Sequence, residues 1–237
     1  MAEIETLTVQ FPSNGHTTSG YLAKPQGDGP FPGVIVIQEW WGLDAHIKEV
    51  AERFAREGFV ALAPDLFHGK VTSEPDEARK LVMGLDRERA MRELDATAAY
   101  LQGQPYLAGT TVGAVGFCLG GGLSLMMGIR SQRCGAAVIF YGGNPSPLDQ
   151  VQDLSCPVLG LYGEADQGIP PARVNELETT LHRYGKEHEL HIYPEAPHAF
   201  FNDQRASYRP EAAADAWRRT LRFFRAHLGA AAPAAVS

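Results

Sequence analysis

The ten residues GAVGFCLGGG (113–122) hold one cysteine, Cys118, between two glycines. They extend the apolar run TVGAVGF, which predicts a buried strand, into GGLSLMMGIR, which predicts a helix. A G-x-C-x-G turn between a strand and a helix is the pattern of a nucleophile elbow with cysteine in place of serine. Glycine at both flanking positions indicates that a Cβ atom would collide with the neighbouring strand or helix there.

Cys118 would lie at the N-terminus of the following helix, where unpaired N–H groups favour a thiolate and can bind an oxyanion. Two other roles are compatible with this stretch. A free cysteine is often a buried core residue, and a glycine-rich loop before a helix can bind phosphate. The phosphate patterns G-x-G-x-x-G and G-x-x-x-x-G-K-[ST] are both missing from the sequence, which favours a nucleophile.

Short apolar runs alternate with amphipathic helical patterns along the rest of the chain. This order predicts an α/β fold with a mainly parallel, twisted sheet and helices on both faces. IETLTVQF and TTSGYLAKP flank a turn at Asn14-Gly15, so they are predicted to form an N-terminal antiparallel hairpin. The length of 237 residues fits one domain, predicted over 1–229, with a disordered small-residue tail at 230–237.

Composition excludes several classes of partner. The net charge is −7 and basic residues form no dense cluster, so we expect no nucleic acid. No apolar run approaches the roughly 18 to 20 residues that span a bilayer, so we expect no membrane partner. The N-terminus lacks a signal-peptide pattern, and three widely spaced cysteines suit a reducing compartment. We therefore expect a cytoplasmic monomer or small homo-oligomer.

A thiol nucleophile needs a base and a group that orients the base. With this elbow the chain order is nucleophile, acid, histidine. LYGEADQGIP follows one predicted strand and offers Asp166 or Glu164, and YPEAPHAFF follows the last strand and offers His198. Each could instead be an ordinary loop residue, but their order favours a triad. No HExxH motif or Cys/His cluster is present, so we expect no metal and no other cofactor.

VIQEWWGL, GFCLGG, YGEADQGIP and PHAFFND resemble the dienelactone hydrolase (carboxymethylenebutenolidase) family of the α/β-hydrolase fold, and the resemblance covers nearly the whole chain. It implies a hydrolase of carboxylic esters or lactones that forms a thioester on Cys118, with His198 as base and Asp166 orienting it. It also implies that Glu39 contacts the resting thiol and moves when substrate binds; without the resemblance, Glu39 would be assigned to a structural ion pair.

The same resemblance implies an oxyanion hole made by the backbone N–H groups of Leu119 and Trp40. Relatives that open dienelactones hold the substrate carboxylate with a serine and two arginines, and this chain has Ala199 and Asn202 at two of those positions. This departure keeps a broad-specificity esterase open as an alternative. A non-catalytic binding protein that uses the same fold as a ligand pocket also stays open. The residues expected to line the substrate pocket are Trp41, Arg79, Tyr141, Phe200 and Arg205.

Overall fold

The computed structural model of the chain describes residues 3–13 and 15–229. Asn14, half of the predicted hairpin turn, and the predicted tail at 230–237 lie outside these residues. The strands are β1 (Ile4–Ser13), β2 (His16–Pro25), β3 (Phe31–Ile37), β4 (Val60–Pro64), β5 (Leu107–Phe117), β6 (Cys134–Phe140), β7 (Val158–Gly163) and β8 (His188–Tyr193). The α-helices are α1 (Ala45–Arg56), α2 (Pro75–Met83), α3 (Arg87–Gln102), α4 (Leu119–Arg130), α5 (Pro171–Arg183) and α6 (Pro210–His227).

The eight strands form one sheet in the order β1-β2-β4-β3-β5-β6-β7-β8. The strands β1 and β2 pair antiparallel, and β2 pairs antiparallel with β4. All other neighbouring pairs are parallel. The α/β fold with an N-terminal antiparallel hairpin is therefore confirmed.

Helices cover both faces of the sheet because the central strands are apolar on both sides. On β3, Ile35 and Ile37 pack into a core with α3, α4 and α5, while Val34 and Val36 pack into a second core with α1 and α6. Within the described residues, no helix combines the length and the apolarity needed to cross a membrane.

The carboxyl ends of five adjacent parallel strands carry side chains that the sequence singles out as candidate site residues. Parallel strands point the same way, so residues that follow them meet at one edge of the sheet, where open α/β folds bind ligands. The residues that follow β3, β5, β6, β7 and β8 at this edge are, respectively, Glu39, Cys118, Tyr141, Asp166 and His198.

Candidate active site

Cys118 lies on a strained turn between β5 and α4. Its main-chain angles are φ 54° and ψ −110°, and such a conformation costs a residue other than glycine roughly 1–3 kcal/mol. A Cβ atom on Gly116 would collide with the carbonyl oxygen of Gly120, and one on Gly120 would collide with that of Ile37. The turn therefore requires glycine on both sides of Cys118, which is the steric reason for the G-x-C-x-G pattern.

Two backbone N–H groups near Cys118 are available to a ligand. Leu119 begins α4, and Trp40 lies in the turn after β3. Among the described residues, neither N–H has a backbone acceptor. A hydrogen bond also fixes the turn that carries Trp40, since the Thr72 N–H donates to the Trp41 carbonyl at 3.0 Å. The oxyanion hole at Leu119 and Trp40 stays a prediction.

His198 and Asp166 form a short hydrogen bond, with Nδ1 2.6 Å from Oδ2. The Asp166 side chain is fully buried. Its other oxygen accepts from the backbone N–H groups of Gly168 at 2.8 Å and Ile169 at 3.0 Å. Burial raises the pKa of Asp166, but the bonds from His198 and these amides outweigh it and bring the pKa below its usual value. Asp166 is thus a fixed, ionised partner for the imidazole.

Glu164, the alternative acid, bonds to a residue other than His198. It is exposed, and its Oε2 accepts from the backbone N–H of Glu195 at 3.1 Å. The geometry therefore favours Asp166 over Glu164 as the residue that orients His198.

Besides Asp166, Cys118 is the other group that acts on the ionisation of His198. Burial lowers the pKa of His198, but hydrogen bonds to Asp166 and Cys118 and the charges of both raise it to about 10. An imidazole with this pKa is protonated at neutral pH. A cysteine nucleophile is activated by such a base, which is itself oriented by a third group.

A cavity of about 350 Å³ opens over the thiol. Its walls are two indole rings, the triad face and the loop after β8. The lining residues are Glu39, Trp40, Trp41, Cys118, His198, Ala199, Arg205, Ala206 and Ser207. This volume lies at the small end of the range for ligand pockets.

The predicted pocket residues fall into three groups. Trp41 and Arg205 line the cavity, and the Arg205 guanidinium lies 4.0 Å from the centre of the Trp41 ring. Tyr141 and Phe200 are fully buried behind it, with the Tyr141 ring 5.0 Å from that of His198. Arg79 lies elsewhere: its side chain is 63% exposed on α2 and pairs with Asp76 at 2.8 Å.

Glu39 also lines the cavity, but its carboxylate does not bond the thiol among the described residues. Oε1 accepts from the Tyr141 hydroxyl at 3.2 Å and Oε2 from the Asn202 amide at 2.9 Å. The contact with resting Cys118 that the family resemblance implied is therefore replaced by two other bonds.

Sequence reasoning missed the part that the loop after His198 plays. Ala206 and Ser207 form one wall of the cavity, and Ser207 is tied to the Ala199 carbonyl at 3.2 Å. Their only signal was position, since a loop that follows the predicted base His198 lies at the same edge of the sheet. Within residues 3–13 and 15–229, no three His, Cys, Asp or Glu side chains are grouped as metal ligands would be.

Comparisons with known proteins show which family the chain belongs to. A family model described as "Dienelactone hydrolase family" matches residues 18–228. A "Putative carboxymethylenebutenolidase" of Methylorubrum extorquens is 37% identical, and the match covers 92% of this chain and 79% of the relative. One of the same name from Synechocystis is also 37% identical, over 95% of this chain and 98% of the relative.

Two solved structures share the fold. One, a "Putative Dienelactone Hydrolase" of Klebsiella pneumoniae, has a TM-score of 0.87 at 34% identity and covers 94% of this chain and 98% of its own. The other, a dienelactone hydrolase-like promiscuous phosphotriesterase from metagenomic libraries, has a TM-score of 0.87 at 26% identity, covering 97% and 100%. The resemblance seen in the sequence is thus confirmed, and the chain belongs to the dienelactone hydrolase family, whose enzymes hydrolyse carboxylic esters and lactones.

Proposed function

We propose that this hydrolase uses Cys118 as its nucleophile and works through a thioester acyl-enzyme. The observation that carries the proposal is the 2.6 Å bond between His198 and Asp166 beside a cysteine on a strained elbow. The order nucleophile, acid, histidine is that of other hydrolases with this elbow. A protein that only binds a ligand has no need of all three.

In the first half-reaction the Cys118 thiolate attacks the ester carbon, and the carbonyl electron pair moves to oxygen. The N–H groups of Leu119 and Trp40 bind that oxyanion. The intermediate collapses to a thioester as the C–O bond breaks, and His198 gives its proton to the leaving alcohol. Water then attacks the thioester while His198 takes a proton from it, and the acid leaves as the thiolate reforms.

The pKa of His198 must change between these two steps, and the site supplies a reason. The hydrogen bond and the negative charge of the Cys118 sulfur are among the effects that raise the pKa of His198 to about 10. Once the sulfur is acylated, its negative charge is gone. The pKa of His198 then falls, so the neutral imidazole can act as base toward water.

Substrate choice depends on a cavity that has aromatic walls and is also lined by the Arg205 side chain. Ala199 offers a methyl group where dienelactone-opening relatives have a serine, and Asn202 is bonded to Glu39. Arg205 is the remaining group that could meet a substrate carboxylate. We therefore propose a broad-specificity esterase for small esters and lactones, with only a modest preference for anionic ones.

The test of this function is hydrolysis of p-nitrophenyl acetate by the wild type and by Cys118→Ala. We expect the variant to lose about a thousandfold or more in kcat/KM and to keep the wild-type circular dichroism and melting temperature. Wild-type turnover in Cys118→Ala would refute the nucleophile assignment. A folded wild type that hydrolyses no ester or lactone would favour the non-catalytic binding protein.

A further inference from the structure

Glu39 is a buried carboxylate whose two oxygens are both occupied. Its side chain is only 2% exposed, and it accepts one bond from Tyr141 and one from Asn202. Burial raises the pKa of Glu39, and the bond from Asn202 is the largest effect that opposes it. Both partners donate to the carboxylate and so oppose the effect of burial, but burial outweighs them and the pKa of Glu39 stays above its usual value.

Asn202 can be oriented in only one way. It is 1% exposed, and its Oδ1 accepts the backbone N–H of Gln204 at 3.0 Å. The two ends of an amide have the same shape, but a backbone N–H can bond only to the oxygen, so Nδ2 must face Glu39. The Asn202 N–H also donates to the Ala199 carbonyl at 3.1 Å, which ties the residue to the turn after His198.

Other charged or titratable groups lie near Glu39 in addition to the Asn202 amide that bonds it. His46 of α1 is 1% exposed and lies 3.4 Å from Asp203, and its charge favours the Glu39 carboxylate. The groups that face Glu39 from α1, β6 and the cavity are Asp44, His46, Tyr141, His198 and Arg205. Among these neighbours, Tyr141 is the one that donates a hydrogen bond to the carboxylate.

The position of Glu39 matters because it shares a cavity with Cys118. A carboxylate turned toward the thiol would disfavour the thiolate, since two negative charges repel each other. We propose that Asn202 is a positioning residue that holds Glu39 against Tyr141 and away from Cys118, so that the resting thiol pairs with His198. This inference rests on the proposed function, in which that thiol is the nucleophile.

The experiment is the rate of Cys118 alkylation by iodoacetamide against pH in four proteins: the wild type, Asn202→Leu, Glu39→Gln and the double variant. Leucine has the branched outline of asparagine but can neither donate nor accept a hydrogen bond. We expect Asn202→Leu to react about tenfold more slowly at pH 7, with its profile displaced to higher pH. In the Glu39→Gln background the same change should alter the rate by less than about threefold.

Cys118→Ala gives the background from Cys134 and Cys156, and circular dichroism shows which variants are folded. A folded Asn202→Leu with the wild-type profile would overturn the inference. An equal loss in both backgrounds would overturn it too, because Asn202 would then not act through Glu39. If Asn202→Leu does not fold, Asn202→Ser, which is smaller and cannot reach Glu39 in the same way, takes its place with the same expectation.

This test separates the inference from the proposed function. Alkylation reports the ionisation of Cys118 whether or not the thiol attacks substrate. Ester hydrolysis that survived in Cys118→Ala would refute the nucleophile, whereas the four alkylation profiles would still decide what Asn202 does.

Discussion

Three residues at the candidate site, Cys118, Tyr141 and Ala199, have φ angles of 54°, 41° and 59°. Such conformations are unfavourable for residues with a side chain and persist only where surrounding contacts hold them. Here the contacts are visible: the Cys118 N–H donates to the Phe140 carbonyl at 3.0 Å and the Tyr141 N–H to that of Leu161 at 2.9 Å. Strain is thus concentrated where side chains must point into the cavity or support it.

At this scale the first prediction concerns Asp166. Asp166→Asn keeps the size of the side chain but removes the charge that holds His198 in place, so kcat/KM for an aryl ester should fall by about 10³ to 10⁴. Glu164→Gln, two residues away and exposed, is the matched control and should stay within about threefold of wild type. Steady-state kinetics on both variants check this prediction. A larger loss of kcat/KM in Glu164→Gln than in Asp166→Asn would make Glu164 the orienting acid.

The second prediction concerns Arg205. Arg205→Met keeps a long apolar side chain over Trp41 and removes the charge. We expect kcat/KM for a carboxylate-bearing ester to fall by up to about tenfold, or about 1.4 kcal/mol, and that for its neutral analogue to change by less than about threefold. Arg79→Met is the control and should affect neither. A wild-type preference of several orders of magnitude for the anion, lost in either variant, would restore a dienelactone-type substrate.

At the scale of elements, the elbow depends on how closely β5 and α4 approach β3. A Cβ atom on Gly120 would meet the backbone carbonyls of Ile37 and Gln38, which cannot move aside easily. On Gly122, two residues along the same helix, the nearest atom would be the Gly143 oxygen at 3.2 Å. The two glycines therefore differ in what they tolerate.

Gly120→Ala should lower the free energy of unfolding by at least about 2 kcal/mol, because it forces backbone apart in a packed region. Gly122→Ala should change it by less than about 1 kcal/mol, since a better helix former offsets the tight contact. Urea unfolding of the two variants measures the difference. Equal stabilities would show that the elbow is not as tightly packed as the collisions at Gly120 indicate.

Most of these elements could be predicted from sequence, because alternating or continuous apolar runs decide which face a strand buries. The exceptions have local causes. The 3-10 helix Leu148–Asp153 lies in a stretch with two prolines that indicates only a loop. The strand β5 begins at Leu107 rather than near Thr111, because Leu107 and Ala108 pair with β3 before a shift in register.

At the scale of the whole molecule, the sheet brings residues far apart in the chain to one edge. That Cys118, Asp166 and His198 lie at one edge could be predicted because parallel strands share a direction, so the residues that follow them meet. The bond between Glu39 and Asn202 spans 163 positions and depends on how the last loop folds back, which no local pattern encodes. The single-domain extent, the cytoplasmic location and the oligomeric state stay predictions.

The whole-molecule prediction is a pH dependence of stability. The pKa of Asp166 lies below its ordinary 3.8, so its contribution is present above that value and lost as pH falls through the folded pKa. The pKa of His198 is raised from 6.5 to about 10, so its contribution is full below 6.5 and lost as pH rises toward 10. The pair should therefore stabilise most between about pH 4 and 6.5.

Thermal melts of wild type and His198→Gln between pH 4 and 10 check this. The difference in Tm between them should be largest near pH 5 to 6 and should shrink as the pH approaches 10. A difference that grew steadily toward pH 10 would mean that His198 is not held protonated by Asp166 and Cys118.

The central claim, a thioester on Cys118, is tested most directly by trapping it. Wild type mixed with excess p-nitrophenyl acetate and quenched in acid within milliseconds should gain the mass of one acetyl group, located on the peptide that contains Cys118 and removed by neutral hydroxylamine. Cys118→Ala should gain none. An acetyl group found on another residue, or hydrolysis at the wild-type rate with the Cys118 thiol left free throughout, would contradict the account.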